Sequence, residues 1–551
     1  MYRRFTLLCC LLALVSCKQY STVTETRPIF RPTATTTGAL GATPAYLVKA
    51  LTEESKDPLV ALGDLLTATE TASRELARHP DDLAAREAYN FTLARVFTKL
   101  RDAKIPAWDK PLMITGPGGN WELTGTSSVA KAPILGKIEF IPADQIEIGG
   151  TYTKDRAIKA GVGAPLIAVL GDATDLLKKD RFVQGKRIYY GVTAVARFEG
   201  RRCIVSFEDP LKVENATLAG RRYPLAADYT APLAMMLVRE NPKKLELSRL
   251  LRPAKYEETA RLARLQPYDP EKIPVLCVHG LMDSPATWTP LINAMRADPG
   301  IRQRYQFWFY SYPSGYPYPY SAAILRKQLD AIKQQYPGHK DIVLIGHSMG
   351  GCISRLMITD TGDKVWREIL GKSPAETTLS TETRQLLADA LIFQHRAEVD
   401  RVIFIAAPLC GSELASNWLG RLGSKLIKSP VYLLKAGTEI LQSVTTSSDS
   451  LNLKSMPNSV DTMSPKNRFV QAINHVPPTP GIPYHVIVGD RGKGGNPDHT
   501  KPVKSDGFVP YWSSHMEGAQ SELTVPSNHS AHQNQEAIAE VKRILKAHAG
   551  N

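Results

Sequence analysis

Beyond its first fifteen residues, the 551-residue sequence lacks an apolar run long enough to span a bilayer. It also lacks a disulfide framework and a metal-ligand spacing, because only four of its seven cysteines lie beyond residue 17 and they are widely separated. The net charge is +14, but the basic residues are scattered and no basic motif interleaved with aromatic residues is present. These absences predict a soluble body and give no indication of a nucleic-acid partner.

The first residues have the composition of an export signal. A basic start, Met1–Arg4, precedes the apolar segment Phe5–Val15. The segment ends in Leu14-Val15-Ser16-Cys17, which resembles the lipobox of bacterial lipoproteins and implies acylation of Cys17. Because Lys18 and not aspartate follows, the resemblance implies an outer-membrane lipoprotein of the cell envelope, anchored to the membrane at Cys17. An ordinary signal peptide with an incidental cysteine is the alternative.

The most informative segment is Asp341–Ile358. Its continuous apolar run Val343-Leu344-Ile345 predicts a central parallel strand that is covered on both faces, and the residues after Met349 have helix composition. Between them, Gly346-His347-Ser348-Met349-Gly350 resembles the G-x-S-x-G nucleophile elbow of the α/β-hydrolases. The resemblance implies that Ser348 is a catalytic nucleophile, and a tight turn with a surface serine is the alternative.

A second apolar strand is predicted over Ile273–Met282, and it contains His279-Gly280. This step resembles the oxyanion loop of α/β-hydrolases, which places the glycine turn upstream of the nucleophile. The resemblance implies that the backbone N–H groups of Leu281 and Met349 form the oxyanion hole. We expect His279 to shape the loop and not to transfer protons.

The acid and the base are expected downstream of the serine. The segment Ser505–His515 resembles the acid loop of secreted bacterial triacylglycerol lipases, which implies that Asp506 is the catalytic acid. The same lipases place their histidine in an Asn-His step, which here implies His529 as the base. Asp490, at the end of a predicted strand, and His532 remain alternatives, because geometry and not sequence order decides a catalytic triad.

The activity that this resemblance implies is ester hydrolysis through an acyl-enzyme, with a lipid or another carboxylic ester as substrate. No cofactor and no metal ion is expected for the chemistry, although some related lipases hold a structural calcium ion near the histidine loop. An acyltransferase or thioesterase with the same triad is one alternative. A non-catalytic lipoprotein that binds a surface is another.

The expected fold class is α/β, with an α/β-hydrolase domain of mostly parallel strands and helices on both faces, preceded by a smaller α+β N-terminal region. The predicted segments are a lipoprotein signal peptide (1–16), a lipid-anchored flexible tether (17–48), a helical hairpin (49–110), a β-rich domain (111–245), a connector (246–266) and the hydrolase domain (267–551). An insertion over about 413–475 is expected to form a cap or lid. The N-terminal region is expected to be structural or to dock an unidentified protein.

Overall fold

The computed structural model describes residues 19–30, 43–53, 57–127, 135–413, 427–428, 430–443, 458–492 and 505–550. The predicted signal peptide and Cys17 lie outside these residues, as do parts of the predicted tether and cap. The first of two compact units contains the described residues up to Lys179 with Gln184–Asn241 and Asn293–Gln303, and the second contains the rest. Among the described residues, no helix has both the length and the apolar composition needed to cross a bilayer.

The first unit combines helices with several sheets, and its largest sheet is mixed because one pair of neighbouring strands runs parallel. Its helices include α1 (Thr43–Glu53), α2 (Pro58–Arg78), α3 (Leu83–Asp102), α4 (Thr174–Lys179) and α5 (Ala231–Glu240). Its strands are β1 (Thr22–Glu25), β2 (Leu112–Gly116), β3 (Gly119–Ser127), β4 (Ile138–Pro142), β5 (Ile146–Gly149), β6 (Ile158–Lys159), β7 (Ala164–Leu170), β8 (Ile188–Glu199), β9 (Arg202–Glu208), β10 (Asn215–Leu218), β11 (Arg221–Pro224) and β12 (Ala227–Asp228). The largest sheet has the order β2-β3-β9-β8-β7-β4.

Helices α2 and α3 share a core with this sheet. Asp57 and Asp82 cap them, since each carboxylate accepts hydrogen bonds from two backbone N–H groups of the first helical turn. Gly63 of α2 lies so close to β2 that a Cβ there would come within 2.0 Å of the carbonyl oxygen of Thr115. The boundary that the sequence suggests near residue 110 therefore falls inside a single compact unit.

The second unit contains one large sheet. Its strands are β13 (Arg261–Arg264), β14 (Ile273–Val278), β15 (Tyr305–Ser311), β16 (Ile342–His347), β17 (Val399–Ile405), β18 (Tyr484–Asp490) and β19 (Ser521–Pro526). The remaining helices of the chain follow in order, and α7 and α8 among them fall largely in the first unit. They are α6 (Lys243–Leu251), α7 (Thr289–Ala297), α8 (Pro299–Arg304), α9 (Tyr318–Gln335), α10 (Met349–Arg355), α11 (Lys364–Leu370), α12 (Thr381–Leu391), α13 (Val431–Ser443), α14 (Arg468–Asn474), α15 (Tyr511–Ser514) and α16 (Gln535–Gly550).

In the described residues this sheet has the order β13-β15-β14-β16-β17-β18-β19. All neighbouring strands are parallel except β13, which pairs antiparallel with β15. Every residue of β16 and of β18 is buried, so both faces of the sheet are covered there. The α/β fold class predicted from the sequence is confirmed. Because the strands are parallel, the ends of β14, β16 and β18 meet at one edge.

The predicted connector, residues 246–266, contributes to the sheet. Helix α6 ends at Leu251, just before Pro253, which cannot continue a regular helix. Arg261–Arg264 then form β13 and pair with Trp308–Ser311 of β15. A strand of four residues is too short to show a clear alternation in the sequence, which is why the charged composition suggested only a helical link.

Candidate active site

Ser348 occupies a strained turn between β16 and α10. Its backbone has φ of 53° and ψ of −126°, a conformation that a non-glycine residue rarely adopts. The glycines on either side permit the turn, since a Cβ on Gly346 would lie 2.5 Å from the carbonyl oxygen of Gly350, and one on Gly350 would lie 2.2 Å from that of Val278. The backbone N–H of Ser348 also donates to the carbonyl of Ile405 on β17. The side chain is thereby presented at the edge where the parallel strands end.

The structure brings Ser348, His529 and Asp506 together. The distance from His529 Nε2 to Ser348 Oγ is 2.8 Å, and from His529 Nδ1 to Asp506 Oδ2 it is 2.7 Å. The carboxylate of Asp506 accepts a hydrogen bond from the Nδ1–H group of His529. Nε2 of His529 therefore carries the lone pair, and it faces the hydroxyl of Ser348. The other carboxylate oxygen of Asp506 accepts from the backbone N–H groups of Phe508 and Val509, at 2.7 Å each. These bonds fix the direction of the carboxylate.

The two alternative residues lie elsewhere. Asp490 ends β18, and its Oδ1 accepts a hydrogen bond from the N–H of Gly492. The Asp506 loop packs over this strand end so closely that a Cβ on Gly489 would come within 2.9 Å of the Asp506 Cβ. His532 is buried, and its Nε2 contacts the hydroxyl of Thr287. The carboxylate that bonds to His529 is therefore the one that the lipase resemblance indicated.

The oxyanion loop lies beside the nucleophile. A Cβ on Gly280 would stand 3.0 Å from the Cβ of Ser348, so only glycine fits here without displacement. Tyr312 donates from its hydroxyl to the carbonyl of His279, and the two rings stack at 4.4 Å. Burial lowers the pKa of His279 to about 3, which keeps this ring neutral. Leu281, the first of the two predicted oxyanion donors, directly follows Gly280 in this loop. The second predicted donor belongs to a different element.

That second donor, Met349, is the first residue of α10 and is buried. The N–H groups of a first helical turn have no partner inside the helix and carry the positive end of its dipole. Such groups suit an oxyanion that develops beside Ser348. The roles of Leu281 and Met349 as donors stay a prediction.

Two further histidines lie beside the base: His532, which the sequence offered only as an alternative base, and His347, for which the sequence indicated no functional role. His347 Nε2 donates to the backbone carbonyl of His529 at 2.8 Å, so the residue before the nucleophile holds the loop of the base. The ring of His532 lies 3.8 Å from that of His347. Burial lowers the pKa of His347 to about 3 and that of His532 well below its ordinary value. Both rings are consequently neutral.

These two rings approach the carboxylate of Asp283, which follows the oxyanion loop, and the three side chains could together hold a metal ion. Burial and the neighbouring carboxylate of Glu246 raise the pKa of Asp283 to about 8. No short sequence motif could have revealed the group, because its members come from three distant loops. Only the fold places them together.

The predicted cap insertion is represented in the described residues by α13 and α14. Tyr432 of α13 donates from its hydroxyl to Glu257 and lies 2.9 Å from the hydroxyl of Tyr320. On the same helix, Val431 and Leu434 are 82% and 46% exposed. One part of α13 is therefore tied to the body of the unit while apolar side chains at its start face outward.

The sequence over residues 275–541 matches the model of the alpha/beta hydrolase family, and this part of the chain is an α/β-hydrolase domain. No curated protein matches the chain. Its structure is similar to the mature lipase BlEst2 of Bacillus licheniformis, with 17% identity over 50% of this chain and 93% of that one and a TM-score of 0.31. The metagenomic carboxyl esterase MGS0156 is 15% identical over 51% and 77% of the two chains, with a TM-score of 0.28. EstA from Clostridium botulinum is 13% identical over 51% and 87%, with a TM-score of 0.30.

Proposed function

We propose that the α/β-hydrolase domain is a serine esterase or lipase, which cleaves carboxylic esters, lipid esters among them, through an acyl-enzyme on Ser348. The observation that carries the proposal is the series of hydrogen bonds from Ser348 through His529 to Asp506, 2.8 and 2.7 Å long. This series combines a nucleophile, a base within reach of its proton and an acid that orients the base. A buried serine without a neighbouring histidine has no base within reach of its proton.

In the proposed first step, Ser348 Oγ attacks the ester carbonyl while His529 Nε2 accepts its proton. Asp506 holds the Nδ1–H and stabilises the imidazolium that results. The N–H groups of Leu281 and Met349 are the proposed donors to the oxyanion, and losing one such donor typically raises the barrier by about 3 kcal/mol. His529 then gives its proton to the departing alkoxide, and the serine ester remains.

In the second step water replaces the alcohol. His529 removes a proton from the water as it attacks the acyl carbonyl, and the same N–H groups bind the second oxyanion. Collapse of this intermediate returns the proton to Ser348 Oγ and releases the carboxylic acid. The two steps together consume one water molecule for each ester bond, and the side chains end in the states in which they began.

Replacement of the nucleophile tests the proposal. Ser348→Ala should abolish both turnover of p-nitrophenyl esters and labelling by a fluorophosphonate, because no other group can form the acyl-enzyme. Ser354→Ala is the matched control, since this buried hydroxyl lies on α10 but donates to the carbonyl of Gly350. Full labelling of Ser348→Ala would contradict the assignment, and a series of esters of graded acyl length would define the preferred substrate.

We also propose that the protein is an outer-membrane lipoprotein acylated at Cys17, on the basis of the Leu14–Cys17 segment and of Lys18 after it. Several acyl chains give stable anchoring, because each buried CH₂ contributes about 0.8 kcal/mol. Cys17→Ser should abolish metabolic labelling with palmitate and remove the protein from the membrane fraction or leave it unprocessed. Cys410→Ser serves as the control. Palmitate labelling that persists in Cys17→Ser would refute the anchor.

A further inference from the structure

Asp283, His347 and His532, which we call the His-Asp cluster, lie next to the proposed catalytic residues but take no part in the proton transfers. One ligand atom from each of the three side chains lies within 4.8 Å of the other two. The cluster joins three separate loops: the one after Gly280, the elbow and the loop that carries His529. Any ligand that the cluster binds would therefore be separate from the proposed ester hydrolysis, although the cluster lies on the same loops as the proposed catalytic residues.

Each of the two histidine rings has one buried nitrogen atom without a hydrogen-bond partner in the described residues. Nε2 of His347 donates to the carbonyl of His529, so Nδ1 of this neutral ring carries the lone pair. Within the described part of the chain, Nδ1 of His347 and Nδ1 of His532 have no hydrogen-bond partner. His347 is 5% exposed and His532 is 2% exposed. Buried polar atoms normally find partners, so two such atoms in adjacent rings point to a ligand.

Nε2 of His532 is already occupied, since it contacts the hydroxyl of Thr287 and the side-chain amide nitrogen of Gln533. The side chain of Thr287 also bonds to the carboxyl group of Asp283. In the described residues, Nδ1 is therefore the ring atom of His532 that is left for a ligand, as it is in His347. Asp283 as a whole residue is half-buried.

We propose that the His-Asp cluster binds a divalent transition-metal ion of the zinc class. Two neutral imidazole nitrogens and one carboxylate oxygen are a ligand set that zinc accepts in tetrahedral sites, with water in the fourth position. Calcium and magnesium prefer oxygen ligands throughout, so this set disfavours them. An ion held by Asp283, His347 and His532 would join the oxyanion loop, the elbow and the histidine loop, and would thereby stabilise their arrangement.

Direct measurement of zinc binding by the full-length protein tests the proposal. After treatment with EDTA, isothermal titration with Zn²⁺ should reveal one tight site, and Co²⁺ at that site should give the visible absorption bands of tetrahedral coordination. Asp283→Asn and His532→Gln should each weaken binding by more than about tenfold, since even changes behind the ligands have effects of that size. Zinc should also raise the melting temperature of the unaltered protein and not that of the two variants.

The controls separate this site from the surface and from catalysis. His515→Gln removes an exposed histidine that pairs with a single carboxylate, Glu522, and should leave tight binding intact. Ser348→Ala should bind zinc as the unaltered protein does, so a failure of the proposed ester hydrolysis would not affect the result. Melting curves in EDTA establish that Asp283→Asn, which preserves side-chain volume, is folded. Unchanged affinity in both cluster variants, or weak binding by the unaltered protein, would overturn the proposal.

Discussion

In the second unit, three buried or half-buried side chains bond to one another at the edge where the parallel strands end. His529 connects Ser348 to Asp506, and His347 holds the loop of His529. In the first unit, some buried hydroxyl groups instead complete the hydrogen bonding of the backbone. The hydroxyl of Tyr89, for example, both donates to the carbonyl and accepts from the N–H of Ala196.

The difference follows from the two sheets. Strand β7 of the first unit pairs with β8 only as far as Ala194. Beyond that point, the N–H and carbonyl groups of Ala196 on β8 bond to the hydroxyl of Tyr89 instead of to a strand. The parallel sheet of the second unit instead ends in loops at one edge, where side chains from distant segments converge. Burial alone therefore does not identify a functional side chain. The groups that its polar atoms contact do identify it. Substitutions should therefore distinguish side chains that take part in catalysis from those that only complete backbone hydrogen bonds.

The largest effects are expected on turnover in the second unit. His529→Ala and Asp506→Asn should each lower kcat by about three to four orders of magnitude, as losses from a catalytic triad do. The double variant should be little worse than either single one, because residues that act as a unit are not additive. His532→Ala and Asp490→Asn should have far smaller effects. Steady-state kinetics on one soluble ester, with EDTA present throughout, provides the measurement.

The same four variants can also contradict the assignment of His529 and Asp506. Near-normal turnover in His529→Ala, together with collapse in His532→Ala, would transfer the role of base to His532 and leave the serine mechanism standing. A corresponding exchange between Asp506→Asn and Asp490→Asn would transfer the role of acid. Circular dichroism of each variant distinguishes lost chemistry from lost structure.

The next effect concerns the stability of the first unit. Phe97 is buried at 5.4 Å from the ring of Trp108 and 5.8 Å from that of Phe207, so Phe97→Ala should lower the free energy of unfolding by about 3–5 kcal/mol. Phe91→Ala, a change of a half-buried ring on the same helix, should have a smaller effect. Urea unfolding followed by tryptophan fluorescence measures both. A loss of kcat per folded molecule in Phe97→Ala would break the comparison between the units.

The smallest effect is expected from removing a hydroxyl group that completes the hydrogen bonding of the backbone. Tyr89→Phe leaves the buried N–H and carbonyl of Ala196 without the hydroxyl, which should destabilise the first unit by about 1–3 kcal/mol. The hydroxyl of Tyr223 makes one bond of 3.1 Å, to the carbonyl of Leu76, so Tyr223→Phe should have less effect. Equal losses in the two variants, measured by the same urea unfolding, would show that the doubled bond of Tyr89 has no special weight.

Local patterns predicted the elements on which the site is built. The apolar run Val343–Ile345 and the glycines at 346 and 350 indicated the strand and the tight turn, because burial and steric crowding are properties of neighbouring residues. The α/β-hydrolase fold was implied by the resemblance of these elements and of the acid and histidine loops to lipases. The choice of Asp506 over Asp490 had a different source, since Asp490 and not Asp506 stands at the end of an apolar strand. It depended on a resemblance to lipases, and the contact with His529 could not be derived from spacing.

Other features depend on contacts that the sequence does not encode locally. The strand β13 exists because β15 offers it an edge, and four residues contain too little alternation to predict it. The His-Asp cluster requires that three loops meet, so its members are separated by long stretches of chain. The structural role of His347 likewise depends on a backbone carbonyl of a distant loop. Such features become visible only once the strand order is known.

The bond from His347 to the backbone of His529 has a consequence for inactivation by heat. Loops are usually the first parts of a protein to loosen, and an active site built on separate loops would then lose its geometry well before the fold is lost. Here the loop of the base cannot move away from Ser348 without breaking a buried hydrogen bond to the residue beside it. Activity should therefore persist on warming until the parallel sheet itself unfolds.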